Sequence, residues 1–224
     1  MFLTAHTIRR LIAELDPPLI DIVIPKDLEG PEREVLEEKR EGLKARFIEG
    51  SCFDLELASI GQIDCSEGEF PFLGRDERMI PKTISFEFDN VFAGKKDVRL
   101  LCSRQSYLFQ SLETINMPPW LCGFVIPRTS IPRAGGSIVT GSISPGFSGR
   151  ITQCWSSPDT YTYVQKGFRF VSVRFALLIP DATVQRYQRQ YYRSTSQFTQ
   201  EVDLYSGIWG GDKLTTEGKT ERGF

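Results

Sequence analysis

The sequence predicts a mainly β fold: an all-β sandwich, barrel or jelly roll with helical additions. Three observations carry that expectation. Apolar and polar residues alternate at period two in many short runs, glycines and prolines separate those runs, and one stretch near the N-terminus shows clear helical periodicity. No repeat or linker interrupts the 224 residues, so 1–224 reads as one domain, with residues from about 184 to 224 as a C-terminal tail. That length is enough for a substantial single core.

Thr4 or Thr7 can cap a first helix carrying Ile8, Leu11, Ile12 and Leu15 on one face, and Pro17 and Pro18 end it. Leu19 to Ile24 reads as a short buried strand closed by Pro25. Pro31 to Arg46 is dense in charge, with Pro31 suited to the first helical position and several acid–base pairs four residues apart. Only Val35, Leu36 and Leu43 offer burial there, which predicts a solvated helical excursion. From Ser51 to Leu57 the period changes to two, and Asp54 among hydrophobic residues requires a backbone or arginine partner. Residues 62–82 read as loop, Ile84 to Phe88 as a strand and Asp89 to Asp97 as a turn region. Further strands are expected at Val98–Leu101, Tyr107–Leu112, Trp120–Ile126, Tyr161–Val164 and Phe168–Ile179.

Composition excludes several classes. A formal net charge of −2 argues against a nucleic-acid binder relying on bulk charge. No apolar run reaches the ~18 residues of a membrane span. The opening MFLTAHTIRRLIAELD is broken by Arg9, Arg10 and Glu14, unlike a signal peptide, and a cytoplasmic protein is expected. Five cysteines (52, 65, 102, 122, 154) contain no CxxC pair and the one histidine is His6, so no zinc is expected. The His-x-Glu and Cys-x-x-Cys signature of zinc-dependent nucleobase deaminases is absent. The thiols read as reduced and mostly buried, and His6 as an ordinary surface or capping residue.

The stretch with the most chemistry is Pro127 to Trp155, PRTSIPRAGGSIVTGSISPGFSGRITQCW. Arg128, Thr129 and Ser130, with Arg133 close behind, offer guanidinium forks and hydroxyls of the kind that suit a polyphosphate. A small-residue hairpin region follows, then a turn of Pro145, Gly146, Phe147 and Gly149 whose glycines allow close approach of main chain to a ligand. Beyond it, Val184 to Gln200 mixes Arg186, Arg189 and Arg193 with aromatics and glutamines. Because Glu201 and Asp203 follow at once, it reads as a tail that packs on the barrel or covers a bound nucleotide, not as a nucleic-acid platform. The last fifteen residues, rich in glycine and charge, are expected to be flexible.

Taken together these segments resemble the dCTP deaminase family of the dCTP deaminase/dUTPase superfamily. The likeness rests on LTAHTIRRLI followed by LIDIVIP, Ser51-Cys-Phe-Asp-Leu55, Leu112 to Pro118, Arg128-Thr-Ser-Ile-Pro-Arg133, Ile143-Ser-Pro-Gly-Phe-Ser-Gly149 and Gly167-Phe-Arg-Phe. The resemblance implies a distorted β-barrel or jelly roll of the dUTPase-like type, a homotrimer with sites between subunits, and a pyrimidine deoxynucleoside triphosphate (dCTP or dUTP) carrying Mg²⁺ on its phosphates. On that reading Arg128, Thr129 and Ser130 hold the triphosphate and Arg133 lies at the reacting pyrimidine or its water. Ser142, Ser144, Pro145, Gly146 and Phe147 line sugar and base, and Tyr192, Gln197 and Gln200 reach the phosphates from the tail.

The sequence departs from the family where the chemistry lies. The glutamate that activates water in these metal-independent deaminases falls on Cys154, preceded by Gln153; the aspartate before Pro-Gly is Ser144; the tail lysine is Gln197. A thiol replaces a carboxylate base only if its pKa is lowered, for example by Arg133. Three functions therefore stand side by side: deamination of dCTP (or a dUTPase-like or modified-nucleotide pyrophosphatase activity), non-catalytic binding by a regulator or sequestering protein, and a structural trimer with a vestigial phosphate loop.

Overall fold

The cap at the chain's start is Thr4: its side chain accepts a hydrogen bond from the Thr7 amide at 3.3 Å, in extended geometry ahead of α1 (Ala5–Glu14). The computed structural model describes residues 2–43, 51–63, 72–73, 78–79, 82–178, 212–214 and 219–222. Ile8 and Ile12 bury the apolar stripe of α1 against the core. The strand expected at 19–24 shrinks to β1 (Ile20–Asp21). The Asp21 carboxylate accepts the Ile22 amide at 2.9 Å, removing that donor from the ladder.

The excursion α2 (Pro31–Gly42) follows Gly30, which enters it at a φ of 76°, and buries no residue completely. Side-chain bridges tie it to the barrel. Arg40 donates to both oxygens of Asp21 at 2.7 and 2.8 Å, and Lys39 to Glu56 at 2.8 Å. Leu36 packs against the core, whereas Val35 stays half exposed.

The strands continue with β2 (Cys52–Ile63), β3 (Phe72–Leu73), β4 (Arg78–Met79), β5 (Thr83–Phe86), β6 (Asn90–Phe92), β7 (Lys95–Leu101), β8 (Ser106–Asn116) and β9 (Leu121–Pro127). A one-turn helix, α3 (Ser130–Arg133), precedes β10 (Ser137–Ile138), β11 (Gly141–Ile143), β12 (Ser148–Ser156), β13 (Thr162–Gln165) and β14 (Arg169–Leu177). Short strands β15 (Asp212–Leu214) and β16 (Lys219–Arg222) complete the described chain.

The main sheet is antiparallel, in the order β10-β12-β8-β2-β14-β9-β11, with β1 on β8 and β5 on β2. Its two edges, β10 and β11, are separated by only Val139 and Thr140. Three peptide steps reach about 10 Å at most, so the edges lie close together and the sheet curls into a distorted barrel with a seam there. Inside, Phe53, Leu55, Phe109, Phe170, Val171, Val173 and Phe175 are fully buried. Phe109 stacks on Trp155 at 5.2 Å and meets Phe170 edge-on at 5.9 Å. Two smaller sheets, β13-β7-β6 and β15-β16-β4-β3, flank the barrel strands in the chain.

Several expectations are corrected. The small-residue stretch after Arg133 is no hairpin: β10 pairs with β12 and β11 with β9, on opposite edges of the sheet. The turn region 89–97 contains a hairpin closed by Ala93 and Gly94, both at positive φ (50° and 77°). Part of 62–82 is strand, because β2 runs on to Ile63 and pairs with β5. Within the last fifteen residues the described segments are β15 and β16, the latter paired with β4.

Candidate functional site

The stretch 127–155 wraps the seam, and its turn is built from its own residues. Phe147 donates its amide to the Ser144 carbonyl at 3.2 Å across Pro145 and Gly146, whose φ of 78° gives the geometry of a type II turn. Met117 clamps this turn from β8's end: Gly146 donates to its carbonyl at 2.9 Å, and its own amide donates to Phe147 at 2.7 Å. Gly149 admits the Phe147 ring, since a Cβ there would come within 3.2 Å of Cζ. Ser142 and Ser144 stay exposed, and Phe147 is half-buried.

Arg128 continues β9, donating its amide to the Phe170 carbonyl at 3.1 Å. Its guanidinium forms an ion pair with Asp54. Asp54 is buried on β2 and also accepts the Ser172 hydroxyl at 2.6 Å. This is the partner that the position of Asp54 demanded. A second guanidinium, Arg169, stands 3.7 Å from the same carboxylate oxygen. Thr129, Ser130 and Arg133 are exposed around α3, which the buried Ile131 pins down.

On the other side of the seam, Cys154 lies opposite Leu108 in β12 and its carbonyl accepts the Val139 amide at 3.4 Å. The side chain is half-buried, and burial pushes the thiol pKa up, against a smaller lowering by a hydrogen bond with Ser106. Arg133 is not among the groups acting on it, so the thiol is protonated at neutral pH. Gln153, one residue earlier, turns to the Trp155 side of the strand, its Nε2 3.8 Å from the point where a Gly141 Cβ would stand.

Neither nearby carboxylate is set up as a replacement base. Asp54 is committed to arginine and serine. Glu113 is fully buried and accepts the Glu56 amide at 2.9 Å, linking β8 to β2. Arg150 feels Glu113 as well, with burial pulling its pKa down and Glu113 opposing.

The structure therefore groups Arg128, Thr129, Ser130 and Arg133 at the C-terminal end of β9, whereas Ser142 pairs with Phe124 midway along that strand and the turn 144–147 lies at its opposite end, beside Met117. Cys154 belongs to the facing edge. Tyr192, Gln197 and Gln200 lie outside the described residues. Sequence reasoning missed Arg169. A bulge redirects it, and no residue type marks that bulge in advance.

Comparisons with known proteins agree with this architecture. Residues 72–178 match the family model described as dCTP deaminase-like. Over 128 residues the chain is 26% identical to the deoxyuridine 5'-triphosphate nucleotidohydrolase of Methanocaldococcus jannaschii, covering 56% of this chain and 78% of that one. The crystal structure of 2'-deoxycytidine 5'-triphosphate deaminase from Agrobacterium tumefaciens superposes with a TM-score of 0.51 at 14% identity. That likeness covers 85% of this chain and 53% of the solved one, so the chain spans about half the length of that structure. Residues 72–178 thus carry a dCTP deaminase-like match, and the curled antiparallel barrel shares its fold with the solved deaminase.

Proposed function

We propose that the protein binds a pyrimidine deoxynucleoside triphosphate, dCTP or dUTP, at the seam, and that its turnover of dCTP is weak or absent. Cys154, at the position of the family glutamate, carries the second half of this reading, because burial keeps its thiol protonated where a general base must accept a proton. Arg128, Thr129, Ser130 and Arg133 supply the cations and hydroxyls for the phosphates. The turn 144–147 supplies backbone groups for the sugar and base, and Tyr192, Gln197 and Gln200 close from the tail. Mg²⁺ arrives on the phosphates as part of the ligand. The Asp54 carboxylate beside Arg128 is already bound by Ser172 and so is not offered to a metal. A homotrimer with sites between subunits and a cytoplasmic location accompany this reading.

The identity to a dUTP nucleotidohydrolase favours a second reading, hydrolysis of dUTP to dUMP and diphosphate. One experiment separates them: calorimetric titration with dCTP, dUTP and modified pyrimidine nucleotides, with and without Mg²⁺, alongside assays for ammonia and diphosphate. Binding with neither product supports the first reading. Diphosphate from dUTP supports the second, and robust ammonia from dCTP overturns the claim of weak turnover.

A further inference from the structure

We propose that Arg169 is a second anion-binding arginine, forming with Arg128 a two-guanidinium clamp around Asp54 that takes one phosphate group of the ligand. The inference rests on the polyphosphate reading of Arg128.

The backbone aims Arg169 there. Strand β14 pairs with β2 as Arg169 to Glu56 and then Val171 to Leu55, so Phe170 is an extra residue in a bulge. Phe170 and Val171 consequently both enter the core, each fully buried. Without the bulge, Arg169 would share the inward face of Val171 and Val173. With it, Arg169 stands on the outer face with Ser172 and Asp54.

Charge on that face does not balance. Two guanidiniums meet one carboxylate, and the carboxylate already accepts the Ser172 hydroxyl at 2.6 Å and pairs with Arg128. Arg169 stops at 3.7 Å, beyond hydrogen-bond reach, with its side chain about half exposed at 49%. Glu56, its cross-strand neighbour, is drawn to Lys39 at 2.8 Å. About half of the Arg169 side chain thus stays open to solvent at the carboxylate that Arg128 also pairs with, and a guanidinium so placed can offer paired N–H groups to a phosphate. Asp54 is a positioning residue: it holds the Arg128 fork and draws Arg169 toward the same spot, with one negative charge against two positive.

The test is calorimetric titration of the full chain and its Arg169→Ala, Arg169→Lys and Arg128→Ala variants with dCTP, dUTP, inorganic tripolyphosphate and deoxycytidine. Losing charge-assisted hydrogen bonds of this kind weakens binding roughly tenfold or more. The expected result is that loss for the triphosphates and tripolyphosphate in Arg169→Ala, unchanged binding of deoxycytidine, and partial recovery in Arg169→Lys. Arg169→Gln serves if Arg169→Ala lowers the melting temperature. Triphosphate affinity unchanged in a folded Arg169 variant overturns the clamp while leaving nucleotide binding intact. Wild-type binding of tripolyphosphate but of no pyrimidine nucleotide, lost in Arg169→Ala, keeps the clamp and removes the pyrimidine reading. A wild type that binds none of the four removes both.

Discussion

The closure of the barrel seam makes a quantitative demand on Gly136. A Cβ added there would lie 2.3 Å from Cη2 and 2.5 Å from Cζ2 of Trp155. The indole has nowhere to go: it is 2% exposed and stacked within 7° of parallel on Phe109, itself fully buried. Gly136 is not among the residues of positive φ, so the penalty in Gly136→Ala is steric and not conformational. Overpacking of a filled core costs about 1–3 kcal/mol, and the rigid backing argues for the upper end. The smaller conformational freedom of the unfolded alanine chain returns about 0.4–1 kcal/mol. The net expectation is a loss of about 2 kcal/mol. In urea unfolding, with m of about 2 kcal/mol/M, the midpoint falls by about 1 M at unchanged m. Gly42→Ala is the control, since nothing stands within 4 Å of its Cβ position, and it should be neutral or gain up to about 1 kcal/mol. If Gly136→Ala proves as stable as the wild type, β10 does not cross over Trp155 and the seam is built differently.

Three further outcomes follow from the site. The Cys154 thiol has a raised pKa, so its contribution to stability is complete below the ordinary thiol pKa of about 8.5 and is lost as pH rises through the higher folded value. In a variant keeping only this cysteine, alkylation by iodoacetamide stays slow through neutral pH, and thiolate absorbance at neutral pH would contradict the burial argument. Asp54→Ala leaves Arg128 facing Arg169 and frees the Ser172 hydroxyl. It should cost about 2 kcal/mol in thermal or urea unfolding, below the loss from a fully buried pair because both arginines keep contact with water. An unchanged midpoint would show that the pair contributes nothing. Cys154→Glu restores a group able to accept a proton, and ammonia release from dCTP should rise on the order of a hundredfold. No rise, with dCTP still bound, would mean that the scaffold has lost more than its base.

Much of the fold was legible because it follows from local chemistry. Thr4 caps where its hydroxyl can reach the Thr7 amide, and α2 carries too few apolar residues to be anything but solvated. Asp54, stranded among hydrophobic residues, announced a cationic partner that proved to be Arg128. What stayed hidden depends on register and long-range pairing. The hairpin at Ala93–Gly94 lacks the asparagine or aspartate that usually marks a two-residue turn. The stretch after Arg133 is full of small residues, and nothing local says that its two short strands serve opposite edges of one sheet. The bulge at Phe170 shifts Arg169 from core side to outer side through pairing with β2, a relation between residues more than one hundred positions apart.

That same topology keeps the two sides of the proposed site structurally independent. Arg128 is held by Phe170 and Asp54, and Asp54 by Ser172, so the cationic side depends on β2 and β14. Cys154 is held by Leu108 across the ladder, by Ser106 and by Val139, so its side depends on β8 and the seam crossing. None of these described contacts is shared. Substitutions without shared partners act nearly independently, so on the proposed reading a change between glutamate and cysteine in β12 leaves the guanidiniums where they are. A site built this way allows turnover and grip on the phosphates to vary separately. For that reason affinity for the triphosphate and release of ammonia must be measured as separate quantities: a change at Arg169 acts on the first, and a change at Cys154 acts on the second.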